Sequence, residues 1–133
     1  MVGRPDPAAR RGTGFTLIEL LVVLAIVALL VAVVSPTYFR GVDRARETSL
    51  RTSLKVMRDA IDKFDGDLGR YPASLQELAE RHYIREVPLD PLTGRRDTWV
   101  VTPPDQDDTT ESVADVHSGA SGTGQDGEAY ASY

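Results

Sequence analysis

Glu19 is the one charged side chain in an apolar run that extends from Phe15 to Val34. As a helix, the run is long enough to cross a bilayer of about 30 Å, in which a charge costs about 2.5–3.5 kcal/mol on insertion scales. Two interpretations of the carboxylate are open. Either it lies at the membrane edge, protonated or reaching toward water, or it pairs with an opposite charge that offsets the cost of desolvation.

The other residues that could do chemistry do not form a catalytic set. His82 and His117 are the only histidines, the chain has no cysteine, and the spacing typical of zinc ligands is missing. Ser118 and Ser121 follow His117 closely, but no G-x-S-x-G nucleophile elbow surrounds either serine. The sequence therefore predicts that the protein is not an enzyme.

Residues 105–133 carry seven acidic side chains and no lysine or arginine. Because nucleic-acid binding needs basic side chains that neutralise phosphates, this composition excludes nucleic acid as a partner for this part of the chain. With no cysteine for a disulfide, a small domain must be stabilised by a metal or by neighbouring subunits. Asp126, with Asp115, Ser118 and loop carbonyls, is the predicted Ca²⁺ ligand set. The alternative is a solvated acidic tail.

The apolar run divides the chain into three predicted segments. Residues 1–14 form a leader with three arginines and one acid, and basic residues beside an apolar segment stay cytoplasmic. Residues 15–39 form a transmembrane helix, so residues 40–133 form a head on the far side of the membrane. An ordinary secretory signal is the alternative, but the run exceeds the ~7–15 residues of a signal core, and no good A-x-A site follows it.

A second helical pattern follows the run. Apolar residues recur from Leu50 to Leu68 at spacings of four and three, which is the period of one helix face. The opposite face carries charged residues: Arg51, Lys55, Arg58, Asp59, Asp62 and Asp65. One helix is therefore predicted from Phe15 to about Asp67. It is expected to be kinked near Pro36, which lacks an N–H and clashes with the preceding turn, and loosened at Gly41.

The rest of the head reads as short elements. Ser74 and Glu77 form the pattern of a capping box at the start of a short helix. "TWVVT" at residues 98–102 and "VADVHS" at residues 113–118 predict two short strands, and the glycine-rich end predicts an irregular loop. Tyr71 and Trp99 are expected to cover the core. The fold class is α+β: a long N-terminal helix carrying a small head with a short helix, a small antiparallel sheet and an irregular C-terminal loop.

The segment "GFTLIELLVVLAIVALL", after a basic leader and before Pro36, resembles the start of type IV pilin-like proteins. The resemblance implies that a prepilin peptidase cleaves after Gly14, removes residues 1–14 and methylates the new first residue, Phe15. It also implies that Phe15, Glu19 and Pro36 act in filament assembly, with residues 15–39 as the filament core. Since Glu19 lies one helical turn from the new amine, the amine of one subunit could pair with the carboxylate of its neighbour.

The head resembles the major pseudopilins of type II secretion systems. The resemblance rests on "RYP" at residues 70–72, on "SLQEL" at residues 74–78, on Asp90-Pro91, and on the acidic, glycine-rich end. Those proteins commonly place an aspartate of a calcium loop where this chain has Ser121. The implied function is that of a structural subunit of a periplasmic filament that drives export of folded proteins across the outer membrane.

The implied setting is a single-pass protein of the inner membrane with its head in the periplasm. The implied partners are copies of the same chain, minor pseudopilins, the inner-membrane assembly platform and the prepilin peptidase. Two rival functions stay open. One is a type IV pilus or minor pilin subunit for adhesion, motility or DNA uptake, and the other is a signal-anchored periplasmic enzyme.

Overall fold

A computed structural model describes residues 2–4, 12–104 and 111–133 of the chain. Most of the predicted leader, and residues 105–110 of the predicted loop between the two strands, lie outside the described residues. The elements are helix α1 (Leu17–Leu68), helix α2 (Leu75–Glu80), strands β1 (Val100–Thr102) and β2 (Asp115–His117), and a 3-10 helix (Tyr130–Ser132). This mixture confirms the predicted α+β class.

Helix α1 runs without interruption through Pro36 and Gly41. This confirms the predicted single helix. The proline ring removes one backbone donor from the helix, and the kink expected near Pro36 stays a prediction. The helix stops at Leu68, where Gly69 adopts a positive φ of 66° and its N–H donates to the carbonyl oxygen of Asp65 at 2.8 Å. A glycine in this left-handed conformation is the usual way to close a helix.

The chain divides into two units, Met1–Phe39 and Arg40–Tyr133. The core of the second unit lies on the predicted apolar face of α1 and extends to the other elements of the head. Its buried apolar residues are Leu50, Leu54, Met57, Ala60, Ile61, Phe64, Leu75, Leu78, Ile84, Val87, Val113, Val116 and Tyr133. Leu68 was expected to continue this stripe, but it is 45% exposed because the helix ends there.

Helix α2 begins as the sequence predicts. The Ser74 hydroxyl accepts the N–H of Glu77 at 3.2 Å, which satisfies one of the free donors at the helix start. The Glu77 carboxylate accepts the N–H of Ala73 at 2.7 Å, one residue before the position that a standard capping box uses. The helix packs Leu75 and Leu78 into the core.

Strands β1 and β2 form a two-stranded antiparallel sheet in which Val101 lies opposite Val116. Both strands are shorter than predicted. Trp99, just before β1, packs against the core, and its indole N–H donates to the carbonyl oxygen of Pro88 at 2.8 Å. Tyr71 also packs against the core, so both aromatic residues cover it as expected.

Candidate processing and assembly site

The junction between Gly14 and Phe15 is accessible and lies just before the first turn of α1. Phe15 is 85% exposed. A Cβ atom built on Gly14 would meet no heavy atom within 4 Å, and the residue does not adopt a left-handed conformation. Nothing in the subunit's own fold therefore requires a glycine at this position.

Glu19 closes a capping box at the start of α1. Its backbone N–H donates to the Thr16 hydroxyl at 3.2 Å, and its carboxylate accepts the N–H of Thr16 at 3.4 Å. The T-x-x-E pattern of residues 16–19 is the sequence signature of this arrangement, although it was not among the predicted features. The carboxylate is thereby held at the end of the helix that carries the candidate cleavage junction.

The apolar half of α1 has no cover within the chain. From Leu17 to Val34, the large apolar side chains are between 49% and 78% exposed. Within the described ranges, α1 is the one helix that is long and apolar enough to cross a membrane. A continuous apolar surface of this size marks contact with lipid or with another protein.

Pro36 stands close to the end of this apolar surface. Because proline has no N–H, the carbonyl of Ala32 loses its usual helical donor. Tyr38 and Phe39 follow at once and are 66% and 63% exposed, with their rings edge to face at 5.9 Å. Exposed aromatic side chains at the end of an apolar helix are typical of the boundary between membrane and water.

The structure gives the three predicted Ca²⁺ ligands three different partners. Asp126 pairs with Arg51 at 2.5 Å, Asp115 pairs with Arg58 at 2.8 Å, and the buried Ser118 hydroxyl donates to Asp90 at 2.7 Å. In the described part of the chain, no three His, Asp or Glu side chains are grouped so that they could hold one metal ion. The predicted ligand set is therefore not assembled, and Ca²⁺ binding stays a prediction.

Local hydrogen bonds keep both aspartates ionised. The backbone N–H of Glu128 and the Tyr133 hydroxyl, together with Arg51, lower the pKa of Asp126. Partial burial tends to raise the pKa of Asp115, but the Val116 amide and Arg58 outweigh it, so that pKa is also lowered. Each carboxylate is therefore available as a negative partner for its arginine.

The two histidines do not form a metal or catalytic pair. His82 is exposed and adopts a positive φ of 63°. His117 lies in β2, where its imidazole is 3.3 Å from Asp115 and 2.9 Å from the main-chain oxygen of Tyr133. The position of His117 agrees with the second strand that the sequence predicts.

Sequence reasoning missed several polar residues that organise the head. The sequence assigns Arg51 and Arg58 only to the charged face of α1, and the structure shows that both contact the C-terminal residues. Asp90 is fully buried and accepts the N–H of Leu92 at 2.8 Å, so it shapes the turn that it begins. The spacing of Glu47, Arg51 and Arg58, at intervals of four and seven, is a helical signal that could have revealed them.

Comparison with known proteins relates the chain to proteins with an N-terminal methylation motif and to type II secretion proteins. A family model for the prokaryotic N-terminal methylation motif matches residues 9–35. Type II secretion system core protein G of Vibrio cholerae is 29% identical over 88% of this chain and 90% of its own length. The protein of the same name in Klebsiella pneumoniae is 32% identical over 62% of this chain and 70% of its own length.

The type IV major pilin protein PilA of Myxococcus xanthus is 29% identical over 84% of this chain, which spans 47% of the length of PilA. No solved structure matches the chain significantly. The relatives named core protein G align over most of their own length. The chain belongs to the family of type II secretion system core protein G.

Proposed function

We propose that the protein is the major structural subunit of a type II secretion pseudopilus, a periplasmic filament that drives export of folded proteins across the outer membrane. The observation that carries the proposal is the apolar half of α1, exposed along its whole length and placed directly after the Gly14–Phe15 junction. A subunit with such a surface is complete only when lipid or other subunits cover it.

Processing would prepare this surface for assembly. A prepilin peptidase cleaves after Gly14 and methylates Phe15, which leaves a positive amine at the start of the mature chain. The carboxylate of Glu19 already lies at this end of the helix, where it accepts the N–H of Thr16. In the filament it would leave this local contact and pair with the amine of a neighbouring subunit, because the pairing offsets the desolvation of both charges.

The membrane arrangement follows from the same helix. Before assembly, residues 15–39 anchor the subunit in the inner membrane in a single pass, and residues 40–133 form a head in the periplasm. Tyr38 and Phe39 would then lie at the periplasmic boundary. The partners in this arrangement are copies of the chain, minor pseudopilins, the assembly platform of the inner membrane and the prepilin peptidase.

The proposed role is structural and involves no catalysis. The Ser118 hydroxyl, the serine nearest to a histidine, is 1% exposed and donates to a buried aspartate. A hydroxyl committed in this way offers no accessible nucleophile.

A type IV pilus subunit for adhesion, motility or DNA uptake is the second candidate. The similarity to PilA over 84% of this chain favours it. A deletion of the gene separates the two functions. Loss of a secreted enzyme from the medium, with surface motility and DNA uptake unchanged, supports the pseudopilus. Normal secretion with lost motility or DNA uptake overturns it in favour of a pilus.

A further inference from the structure

The C-terminal segment, residues 119–133, is fastened to one face of α1. Glu47 and Arg51 contact it directly, and Arg58 contacts its last residue and the strand before it. The three side chains follow one another along the helix at intervals of four and seven residues, so they share a face. This set of contacts is called here the arginine clamp, after Arg51 and Arg58.

Arg51 forms the centre of the clamp. Its guanidinium donates to Oδ2 of Asp126 at 2.5 Å and stacks over the Tyr133 ring at 4.2 Å from the ring centroid. The Tyr133 hydroxyl donates to Oδ1 of the same aspartate at 2.8 Å. Three side chains therefore contact one another in a closed triangle, in which the arginine interacts with both a carboxylate and an aromatic face.

Gly124 makes room for this triangle. A Cβ atom at this position would collide with the Tyr133 hydroxyl. The backbone of the segment therefore passes so close to Tyr133 that a larger residue would push the ring away from Asp126 and Arg51.

Arg58 binds three oxygen atoms that come from two separate parts of the chain. It donates to the Asp115 carboxylate at 2.8 Å, to the Val116 carbonyl at 2.9 Å and to the main-chain oxygen of Tyr133 at 2.8 Å. One positive group surrounded by a carboxylate and main-chain oxygens repeats the kind of ligand set that a bound Ca²⁺ uses.

Glu47, which has a negative charge, also binds the C-terminal segment. Its buried carboxylate accepts the backbone N–H of Gln125 at 2.9 Å, the residue directly before Asp126. The Tyr130 hydroxyl donates to the same oxygen at 3.4 Å. The segment is thus held by side chains of both signs from a single helix.

We propose that Arg51 and Arg58 replace a metal ion in this head, so that the C-terminal segment is ordered by guanidinium groups and does not need Ca²⁺. Both oxygens of Asp126 are already used, by Arg51 on one side and by Tyr133 and the Glu128 amide on the other. A Ca²⁺ ion needs six to eight oxygens at about 2.3–2.6 Å. To approach Asp126 it would have to displace Arg51, which carries a like charge.

The test is thermal unfolding of the full chain in detergent, followed by the fluorescence of Trp99, the one tryptophan in the sequence. Because Trp99 packs against the head core, its signal reports on the head. The wild type should melt at the same temperature in about 5 mM CaCl₂, which would roughly saturate a calcium site, and in about 5 mM EDTA, which removes the metal. A midpoint that is roughly 5 °C or more higher in CaCl₂ would overturn the proposal.

Arg51→Ala should lower the midpoint by roughly 4–8 °C in both solutions and should speed proteolytic cleavage within residues 119–133. The matched control is Lys55→Ala, one turn along α1, which removes a similarly short (2.6 Å) but more exposed pair with Asp59. The control should shift the midpoint by roughly 2 °C or less. Equal shifts in the two variants would overturn the clamp.

Arg51→Lys distinguishes the role of the planar guanidinium from that of the positive charge. It also keeps the proposal testable if Arg51→Ala does not fold. Lysine keeps the positive charge but loses the planar group that stacks on Tyr133 while it donates to Asp126. The midpoint should fall between those of the wild type and Arg51→Ala. If Arg51→Lys melts and resists protease like the wild type, charge alone holds the segment and the guanidinium clamp is refuted.

Discussion

The apolar half of α1 and the head differ in how much of their apolar surface is buried within the chain itself. From Leu17 to Val34, the large apolar side chains are at least 49% exposed, whereas the apolar core of the head is at most 9% exposed. In the described part of the head, no buried side-chain nitrogen or oxygen lacks a hydrogen-bond partner. The head is thus a closed fold, while the apolar half is a surface that other molecules must cover. Substitutions in the first region should alter assembly, and those in the second should alter stability.

The largest expected effect is loss of filaments in Glu19→Gln. Glutamine keeps the ability to cap the Thr16 N–H but removes the charge that would pair with the Phe15 amine of a neighbour. We expect the protein to insert and fold, and the amount of sheared filament, measured by immunoblot, to fall at least tenfold.

Thr16→Ala is the matched control for that prediction. It removes the hydroxyl that accepts the Glu19 N–H at 3.2 Å but leaves the carboxylate charge in place. Filaments should still form. If Thr16→Ala loses filaments and Glu19→Gln keeps them, then Glu19 serves as a helix cap and not as an assembly partner.

In the head, Phe64→Ala should have the largest effect on stability. Phe64 is fully buried, and its ring packs against Tyr83 with the centroids 5.1 Å apart. Truncation to alanine is therefore expected to leave a cavity. The free energy of unfolding should fall by about 3–5 kcal/mol in a urea titration monitored by Trp99 fluorescence. Val56→Ala, at a position 50% exposed on the same helix, should change it by less than about 0.5 kcal/mol. Similar losses in both variants would contradict the placement of the core.

Asp90→Ala should cost less than the core variant, about 1–3 kcal/mol. The carboxylate is fully buried and accepts hydrogen bonds from Ser118 at 2.7 Å and from the Leu92 N–H at 2.8 Å. Its removal leaves a buried hydroxyl and a turn amide without a partner. Thermal unfolding of Asp90→Ala and Ser118→Ala should rank the aspartate variant as the less stable one. The opposite order would show that the turn does not depend on Asp90.

The smallest effect concerns the pH dependence of the head. The hydrogen bond from Arg70, followed by that from the Ala73 amide, lowers the pKa of Glu77 from 4.5 to about 2. A carboxyl whose pKa is lower in the folded state stabilises fully above its ordinary pKa and loses this contribution as pH falls toward the folded value. The wild type should therefore lose its stability advantage over Glu77→Gln between about pH 4.5 and pH 2. A constant difference in melting temperature across this range would contradict the pairing with Arg70.

Local patterns predicted most of the fold. The spacing of Leu50, Leu54 and Phe64 marked the buried face of α1, and Ser74 marked the start of α2, because both signals depend only on neighbours within a few residues. The prediction of one helix through Pro36 is confirmed too, since a proline in a long apolar helix is tolerated when the turns on both sides remain stable. The strands came out shorter because their ends depend on pairing across the sheet.

The contacts of the C-terminal segment could not be predicted in the same way. Asp126 is 75 residues from Arg51, and no local pattern says which of the exposed arginines on α1 a distant aspartate will meet. The acidic, glycine-rich composition of this segment suggested a metal, because a sequence shows the negative charges but not the distant arginines that pair with them. The candidate cleavage junction was easier to find, since Gly14, Phe15 and Glu19 lie within one short stretch.

Intact mass spectrometry of the protein extracted from membranes tests most directly the central claim, that the chain is processed at the Gly14–Phe15 junction before it assembles. The mature species should begin at Phe15, lack residues 1–14 and carry one added methyl group on its new amine. Gly14→Leu should leave the precursor uncleaved. Since the subunit itself has space for the larger side chain, a block in cleavage would arise at the peptidase and not from misfolding. A wild-type chain with an intact leader, or one cleaved beyond Val34, would contradict processing as a pseudopilin.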